Sequence, residues 1–300
     1  MQDRESIGYV GRFAPSPTGP LHFGSLVAAV ASFLQARVNN GRWLLRIEDI
    51  DPPREQPGAT SQILEALECY GFEWDGETIF QSASANAHEE ALSSLLERDL
   101  AYPCGCSRKD LAGLPSGPLG VIYPGTCRKG TSATQVAIRV KTDDSEIRFN
   151  DAIQGLITHR LETESGDFVI RRRDKLIAYQ LAVVVDDEIQ GVTEILRGID
   201  LIDSTPRQIW LQKLLNFKVP RYAHIPVITH PNGDKLSKLT AAQAIPLDRV
   251  KQVLVEALAA LKQSPPEHLE EHSLTQIWSW ATQNWQICNL KGLQQVVKTP

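Results

Sequence analysis

Three features of secreted and membrane proteins are missing from this sequence of 300 residues. No apolar run approaches the roughly 20 residues that a membrane-spanning helix needs, and no apolar segment of a secretion signal follows the polar residues at the start. The five cysteines, three of them clustered, do not have the spacing of a secreted disulfide framework. We therefore expect a cytoplasmic protein that has no contact with a membrane.

A basic excess is also missing, which bears on nucleic-acid binding. The chain carries 31 Lys and Arg residues against 36 Asp and Glu, a formal net charge of -5. Any contact with RNA must therefore come from a local patch and not from the overall charge. The one dense basic run is Arg171–Arg173 with Lys175, which is either a phosphate contact or, more simply, a solvated charged turn.

The common phosphate-binding fingerprints GxGxxG and GxxxxGK[ST] are absent, which argues against an ordinary dinucleotide or P-loop site. Instead, residues 12–25 (RFAPSPTGPLHFGS) form a loop rich in proline and glycine between a short apolar run and a helical pattern. Gly41 ends that helix, and residues 42–48 are predicted to form a second buried strand. The order predicts a βαβ unit whose loop offers main-chain N–H groups to an anion at the carboxyl edge of a parallel sheet.

Three cysteines form a compact set of soft ligands at Cys104, Cys106 and Cys127. Their spacing suits a structural zinc ion with tetrahedral geometry. No histidine lies nearby in the following segment, so the residues alone leave the fourth ligand open, and buried free thiols are the alternative.

Two motifs carry a resemblance to a known family. Residues 12–25 resemble the signature of class I aminoacyl-tRNA synthetases, in particular their glutamyl and glutaminyl branch, with Ser25 in place of the last histidine. Residues 235–239 (KLSKL) resemble the lysine loop of the same class. This resemblance implies ATP and Mg²⁺ as ligands and His22 and Lys238 as catalytic residues. The residues that it implies for ATP binding are His22, Gly24, Ser25, Lys235 and Lys238.

The resemblance also implies an amino-acid pocket. The positions that match the glutamate ligands of glutamyl-tRNA synthetases are Arg12, Ser16, Glu48, Tyr179 and Arg197. Two guanidiniums can bind two carboxylates, and Glu48 can accept from the ammonium group. The sequence does not say which arginine takes which carboxylate, and we expect Arg12 to take the side chain. Val183 stands where larger synthetases usually carry a polar residue, which predicts weaker glutamate binding.

The family resemblance covers residues 8–239, and residues 241–300 are too few for the anticodon-binding region of a full glutamyl-tRNA synthetase. This short form is similar to the glutamyl-Q tRNA(Asp) synthetases. That similarity implies tRNA-independent activation of L-glutamate, its transfer onto queuosine in the anticodon of tRNA(Asp), one structural Zn²⁺, and Tyr123 as the fourth zinc ligand. The alternatives are charging of a tRNA 3′ end, an inactive RNA-binding paralogue, and loading of a carrier.

Composition and element order then predict the fold. With 42% hydrophobic and 22% charged residues, the chain is typical of one large or two modest soluble domains. We predict an α/β protein with a Rossmann-like parallel sheet, in which the apolar run 177–187 forms a strand and residues 205–208 form a helix capping box. We also expect a monomer. The predicted domains are the first half of the Rossmann domain (1–103), a zinc-bearing insertion (104–170), the second half (171–240) and a C-terminal helical domain (241–300).

Overall fold

The computed structural model describes residues 8–229 and 243–298, and all structural statements refer to these residues. The strands are β1 (Val10–Phe13), β2 (Arg42–Ile47), β3 (Ile79–Phe80), β4 (Ala101–Cys104), β5 (Ser116–Gly117), β6 (Gly120–Val121), β7 (Ala137–Val140), β8 (Glu146–Asp151), β9 (Gly155–Arg160), β10 (Phe168–Arg171), β11 (Glu194–Gly198), β12 (Arg221–Ile225), β13 (Val227–Thr229) and β14 (Gln295–Val297). The α-helices are α1 (Phe23–Val38), α2 (Ala59–Cys69), α3 (Ala85–Glu97), α4 (Leu161–Glu164), α5 (Tyr179–Ile189), α6 (Thr205–Leu215), α7 (Val250–Ala260) and α8 (Leu274–Asn284).

The predicted βαβ unit is present: β1 and β2 pair in parallel, with α1 between them in the chain. Helix α1 is buried on most of its surface because it packs against the sheet on one side and α7 and α8 on the other. After α1 the chain turns sharply, and Gly41 is needed there because a Cβ would lie 2.6 Å from the Tyr9 carbonyl oxygen. The unit thus fixes the loop of residues 14–22 at the carboxyl ends of β1 and β2.

Two sheets meet in the centre of the molecule. In the first, β1, β2 and β3 pair in parallel, and in the second the order is β11, β12, β8 and β9. Strand β1 contacts β11, and the Thr193 N–H donates to the Val10 carbonyl at 2.9 Å. The α/β fold class is therefore confirmed. The sheet ends bring residues from distant parts of the chain to one edge.

Strands β4, β7 and β10 form an antiparallel sheet in the order β10, β7 and β4, whereas β8 and β9, which lie between β7 and β10 in the chain, belong to the second sheet. The segment from β4 to β7 includes the short hairpin β5–β6. It carries all three clustered cysteines. The sequence predicts a zinc-bearing insertion over residues 104–170, a range that includes these cysteines. The exact domain boundaries remain predictions.

The predicted strand over residues 177–187 is wrong, because residues 179–187 belong to helix α5. Its residues from Leu181 to Asp187 are all buried, so the apolar run has no exposed face and no periodicity to distinguish a helix from a strand. Helix α5 packs against α3, α6 and β10. Tertiary burial on all sides therefore explains the misleading pattern.

The C-terminal part contains α7 and α8, as expected, and also β14, which pairs in parallel with β13. Its tryptophans are packing residues: the Trp278 indole contacts Phe33 and Phe72, and Trp285 donates to Gln35 at 2.6 Å. Among the described residues, no helix combines the length and the apolarity that crossing a membrane requires.

Candidate active site

A cavity of about 140 Å³ opens beside the carboxyl ends of β1 and β2. Its lining residues are Ser16, Thr18, Glu48, Ile50, Asp51, Arg54, Glu55, Gln81, Arg172, Ile177, Ala178 and Tyr179. Three of the five predicted glutamate ligands, Ser16, Glu48 and Tyr179, therefore face one space. The other two, Arg12 and Arg197, do not line it but belong to the charged groups packed around it.

Arg12 lies in a buried ion-pair network that the sequence analysis missed. Its Nε atom lies 3.1 Å from Asp187 Oδ1, and Arg46 Nη1 lies 2.8 Å from the same oxygen. Arg46 also reaches Glu48 Oε1 at 3.5 Å. Arg46 thus connects Arg12 and Glu48, two residues predicted to contact the same substrate. Charged residues inside apolar runs, such as Arg46 in RWLLRI and Asp186–Asp187 at the end of α5, were the signals available for this network.

The network sets the protonation of its carboxylates. Burial acts to raise the pKa of Asp187, but the two arginines outweigh it and leave that pKa below its ordinary value. Burial raises the pKa of Glu48, and Arg46 and Arg12 only partly oppose this effect. Glu48 is therefore a buried carboxyl group whose ionised form would be stabilised by an added positive charge in the cavity.

Arg197 approaches the cavity through Tyr179. Its Nη1 atom donates to the Tyr179 hydroxyl at 3.4 Å, and its own side chain is only 5% exposed. Burial raises the pKa of Tyr179, so its hydroxyl remains protonated and can donate in turn. The structure therefore places Ser16, Glu48 and Tyr179 in the cavity lining and Arg197 against Tyr179. In the described part of the chain, Arg12 is joined to Glu48 only through Asp187 and Arg46.

The predicted ATP loop begins helix α1. His22 is the N-cap residue, and its Nδ1 atom accepts from the Ser25 N–H at 3.2 Å. The Ser25 hydroxyl lies 3.0 Å from the other ring nitrogen, so Ser25 helps to orient His22. A Cβ on Gly24 would lie 3.2 Å from the His22 ring, a tight contact that would press on this ring. Lys235 and Lys238 lie outside the described residues, and their approach to His22 stays a prediction.

The three cysteines and Tyr123 converge at one point. The Cys104, Cys106 and Cys127 sulfurs all lie within 4.8 Å of one another, and the Tyr123 hydroxyl is 3.3 Å from Cys104 Sγ and 3.5 Å from Cys106 Sγ. Ligands on tetrahedral zinc with bonds of about 2.3 Å are separated by roughly 3.8 Å. Four donor atoms with these separations fit a closed zinc site.

The surroundings of the cluster also suit thiolate ligands. Arg139 Nε donates to Cys104 Sγ at 3.3 Å, and its guanidinium lies 3.9 Å above the Tyr123 ring. Burial by itself raises the pKa of the Cys127 thiol, but hydrogen bonds with Tyr123 and the Gly105 main chain bring it to about 7. Arg139 was missed by the sequence analysis because nothing in its local pattern distinguishes it from a surface arginine.

Comparison with known proteins identifies the family. A family model described as tRNA synthetases class I (E and Q), catalytic domain, matches residues 9–116 and 123–277. The glutamyl-Q tRNA(Asp) synthetase of Pseudomonas fluorescens is 53% identical over 95% of this chain and 94% of its own. The glutamyl-Q tRNA(Asp) synthetase of Dechloromonas aromatica is 51% identical over 92% of this chain and 94% of its own. The chain belongs to the glutamyl-Q tRNA(Asp) synthetase family.

Solved structures show the same fold. A glutamate-tRNA synthetase from Elizabethkingia anophelis superposes with a TM-score of 0.80 at 24% identity, covering 96% of this chain and 68% of its own. A glutamate tRNA ligase from Elizabethkingia meningosepticum, in complex with its amino acid, superposes with a TM-score of 0.80 at 23% identity. The superposition covers 97% of this chain and 67% of that protein. Membership of the glutamyl-Q tRNA(Asp) synthetase family confirms the predicted ligase class, and the class I catalytic domain implies the use of ATP.

The cysteine cluster predicts the zinc content of the purified protein. We expect about one zinc per chain in the purified protein and clearly less in Cys104→Ser, because a serine hydroxyl is a poor ligand in a thiolate site. Metal content is measured by mass spectrometry on protein purified without added zinc. Cys288→Ser is the matched control, because Cys288 is exposed and outside the cluster. A metal-free wild-type protein would refute the site.

Proposed function

We propose that this enzyme activates L-glutamate with ATP in the absence of tRNA and transfers it onto queuosine in the anticodon of tRNA(Asp). The observation that carries the proposal is the identity of 51–53% with proteins named glutamyl-Q tRNA(Asp) synthetase over 92–95% of the chain. The cavity lined by Ser16, Glu48 and Tyr179 supports an amino-acid site at the carboxyl ends of the strands.

The proposed reaction has two balanced steps. A glutamate carboxylate oxygen attacks the α-phosphorus of ATP, and pyrophosphate leaves with the electron pair of the broken P–O bond. A hydroxyl oxygen of the queuosine ring then attacks the adenylate carbonyl carbon and forms an ester. The bond from that carbon to the phosphate oxygen breaks, so AMP leaves, and the hydroxyl proton passes to water. The first step needs no proton transfer, so the protein contributes chiefly by positioning the reactants and neutralising phosphoryl charge.

Each predicted ligand has a proposed role in that first step. Glu48 accepts from the glutamate ammonium group, whose positive charge favours the ionised form of this buried carboxyl. Arg12 and Arg197 bind the two carboxylates, Arg12 the side-chain one, with Ser16 and Tyr179 completing the pocket. His22, Gly24 and Ser25 bind the ATP phosphates at the start of α1, and Mg²⁺ accompanies the pyrophosphate.

The zinc ion of this proposal is structural. Cys104, Cys106, Tyr123 and Cys127 would hold it, and it would stabilise the fold of the segment that follows β4. Arg173 donates to the Gly105 main chain, and Arg172 lines the cavity and pairs with Asp51 at 2.9 Å. The basic run thus lies between the cysteine cluster and the cavity mouth. We propose a monomer that accepts the anticodon loop at this mouth.

The deciding experiment is glutamate-dependent ATP–pyrophosphate exchange without RNA, followed by transfer of labelled glutamate. We expect exchange without RNA and transfer to queuosine-containing tRNA(Asp) only. Exchange that requires tRNA, with charging of unmodified tRNA, would show a 3′-end charging enzyme instead. Absence of exchange together with RNA binding would indicate an inactive paralogue.

Lys238→Ala tests the role assigned to the lysine loop. We expect the exchange rate to fall about tenfold, because one charged contact to the phosphates is lost in the transition state. The KM for glutamate should stay close to the wild-type value. Lys251→Ala, on the exposed side of α7, is the control. An unchanged rate in Lys238→Ala would remove this residue from the proposed mechanism.

A further inference from the structure

Buried hydrogen-bond acceptors contact the Arg197 guanidinium at the two nitrogens, Nε and Nη2, that do not contact Tyr179. Its Nε atom lies 3.1 Å from His224 Nε2. Its Nη2 atom donates to Thr205 Oγ1 at 2.9 Å and to Gln208 Oε1 at 2.8 Å. These three partners are at most 1% exposed. With Nε and Nη2 occupied on that side, Nη1 is the atom directed to Tyr179 and the cavity.

The contact with Arg197 determines the tautomer of His224. A guanidinium can only donate, so His224 Nε2 must accept, and the ring proton must lie on Nδ1. Nδ1 lies 2.6 Å from Asp151 Oδ2, which accepts that proton. Thr205 fits the same assignment, because its hydroxyl accepts from Arg197 and can donate to His224 Nε2 at 3.2 Å.

Asp151 is itself fixed in one orientation. Its Oδ1 atom accepts from three main-chain N–H groups, those of Ile153, Gln154 and His224, at 2.9–3.1 Å. Its Oδ2 atom is thereby left for the His224 ring. Asp151 ends β8 and His224 lies in the neighbouring parallel strand β12, where Tyr222 is in register with Asp151. The sheet register therefore sets the geometry of the pair.

We propose that Asp151 and His224 are positioning residues that hold Arg197, through the Nδ1–H tautomer of His224, with Nη1 directed to a carboxylate of the bound glutamate. The inference rests on the proposed glutamate-binding role of Arg197. Burial lowers the pKa of His224, and Arg197 adds to this effect against the opposing pull of Asp151 and Asp200. The ring thus stays neutral, as the acceptor role requires.

Two substitutions of His224 separate its two hydrogen bonds. His224→Gln keeps an acceptor near the Nε2 position for Arg197, whereas His224→Asn keeps a donor near the Nδ1 position for Asp151 and loses the acceptor. We expect the KM for glutamate to rise about tenfold or more in His224→Asn and at most about threefold in His224→Gln. The KM for ATP should stay unchanged in both. Equal KM changes for glutamate in the two variants, or a parallel rise for ATP, would overturn the proposal.

Asp151→Asn tests the tautomer directly. The amide can keep its oxygen on the three main-chain N–H groups and place its NH₂ group against His224 Nδ1, which forces the proton onto Nε2 and against Arg197. We expect ¹⁵N NMR of the imidazole to show Nδ1–H in the wild type and Nε2–H in the variant, with a raised KM for glutamate. An Nε2–H wild type would refute the positioning pair. A wild type with Nδ1–H but no glutamate-dependent exchange would refute the proposed function, and with it the glutamate-binding role of Arg197, while leaving the hydrogen bonds from Asp151 through His224 to Arg197 in place.

Discussion

Replacement of Arg46 by methionine is expected to lower the free energy of unfolding by about 3–5 kcal/mol, the usual cost of removing one partner from a buried charge network. Arg46 is completely buried and lies 2.8 Å from Asp187, 3.5 Å from Glu48 and 3.9 Å from Asp186. Methionine fills a similar volume, so the loss comes chiefly from carboxylates left without their cation. Urea denaturation at neutral pH measures the effect.

Arg160→Met provides the control for this measurement. Arg160 is 45% exposed and pairs with Asp144 and Glu146 at the surface, where ion pairs contribute about 1 kcal/mol or less. The two substitutions remove the same group from opposite environments. Equal losses of stability in both variants would mean that burial of the Arg46 network has no special energetic weight.

The parts of the fold that the sequence predicted are those set by local patterns. The loop over residues 12–25 is bounded by an apolar run and a helical period, and the βαβ unit follows from that order alone. Glu48 ends up at the cavity because it directly follows a buried strand. The cysteine cluster could also be predicted from the sequence, since its candidate ligands are close in sequence and chemically distinctive.

The features that local sequence patterns did not predict depend on contacts between residues far apart in the chain. Arg46 and Asp187 meet only after β2 and α5 have packed together, and no local spacing indicates that pair. At Thr205 the local sequence pattern and the tertiary contacts disagree. Its sequence context predicts a capping box, but Ser204 is the N-cap and the Thr205 hydroxyl instead bonds Arg197 and His224. A tertiary polar network has therefore replaced the local cap.

Under the role proposed for Arg12, Arg12→Ala is expected to reduce glutamate-dependent pyrophosphate exchange by about 100-fold, because the charge-assisted contact of its guanidinium with the substrate side chain would be lost. The effect should appear mainly as a higher KM for glutamate, with the KM for ATP unchanged. Arg46 remains beside Asp187 at 2.8 Å, so the variant keeps a cation in the network and should fold. Thermal unfolding checks this condition.

Two further variants decide whether Arg12 acts on the substrate. Arg12→Lys keeps the charge but not the planar pair of donors, so we expect only partial recovery of exchange over Arg12→Ala. Arg37→Ala is the control, because Arg37 pairs with Asp75 at a half-exposed position away from the cavity. Wild-type exchange in Arg12→Ala would mean that another cation binds the glutamate side chain. Equal loss of glutamate and ATP affinity would instead make Arg12 a structural partner of Asp187, and the proposed amino-acid pocket would then rest on Arg197 and Glu48.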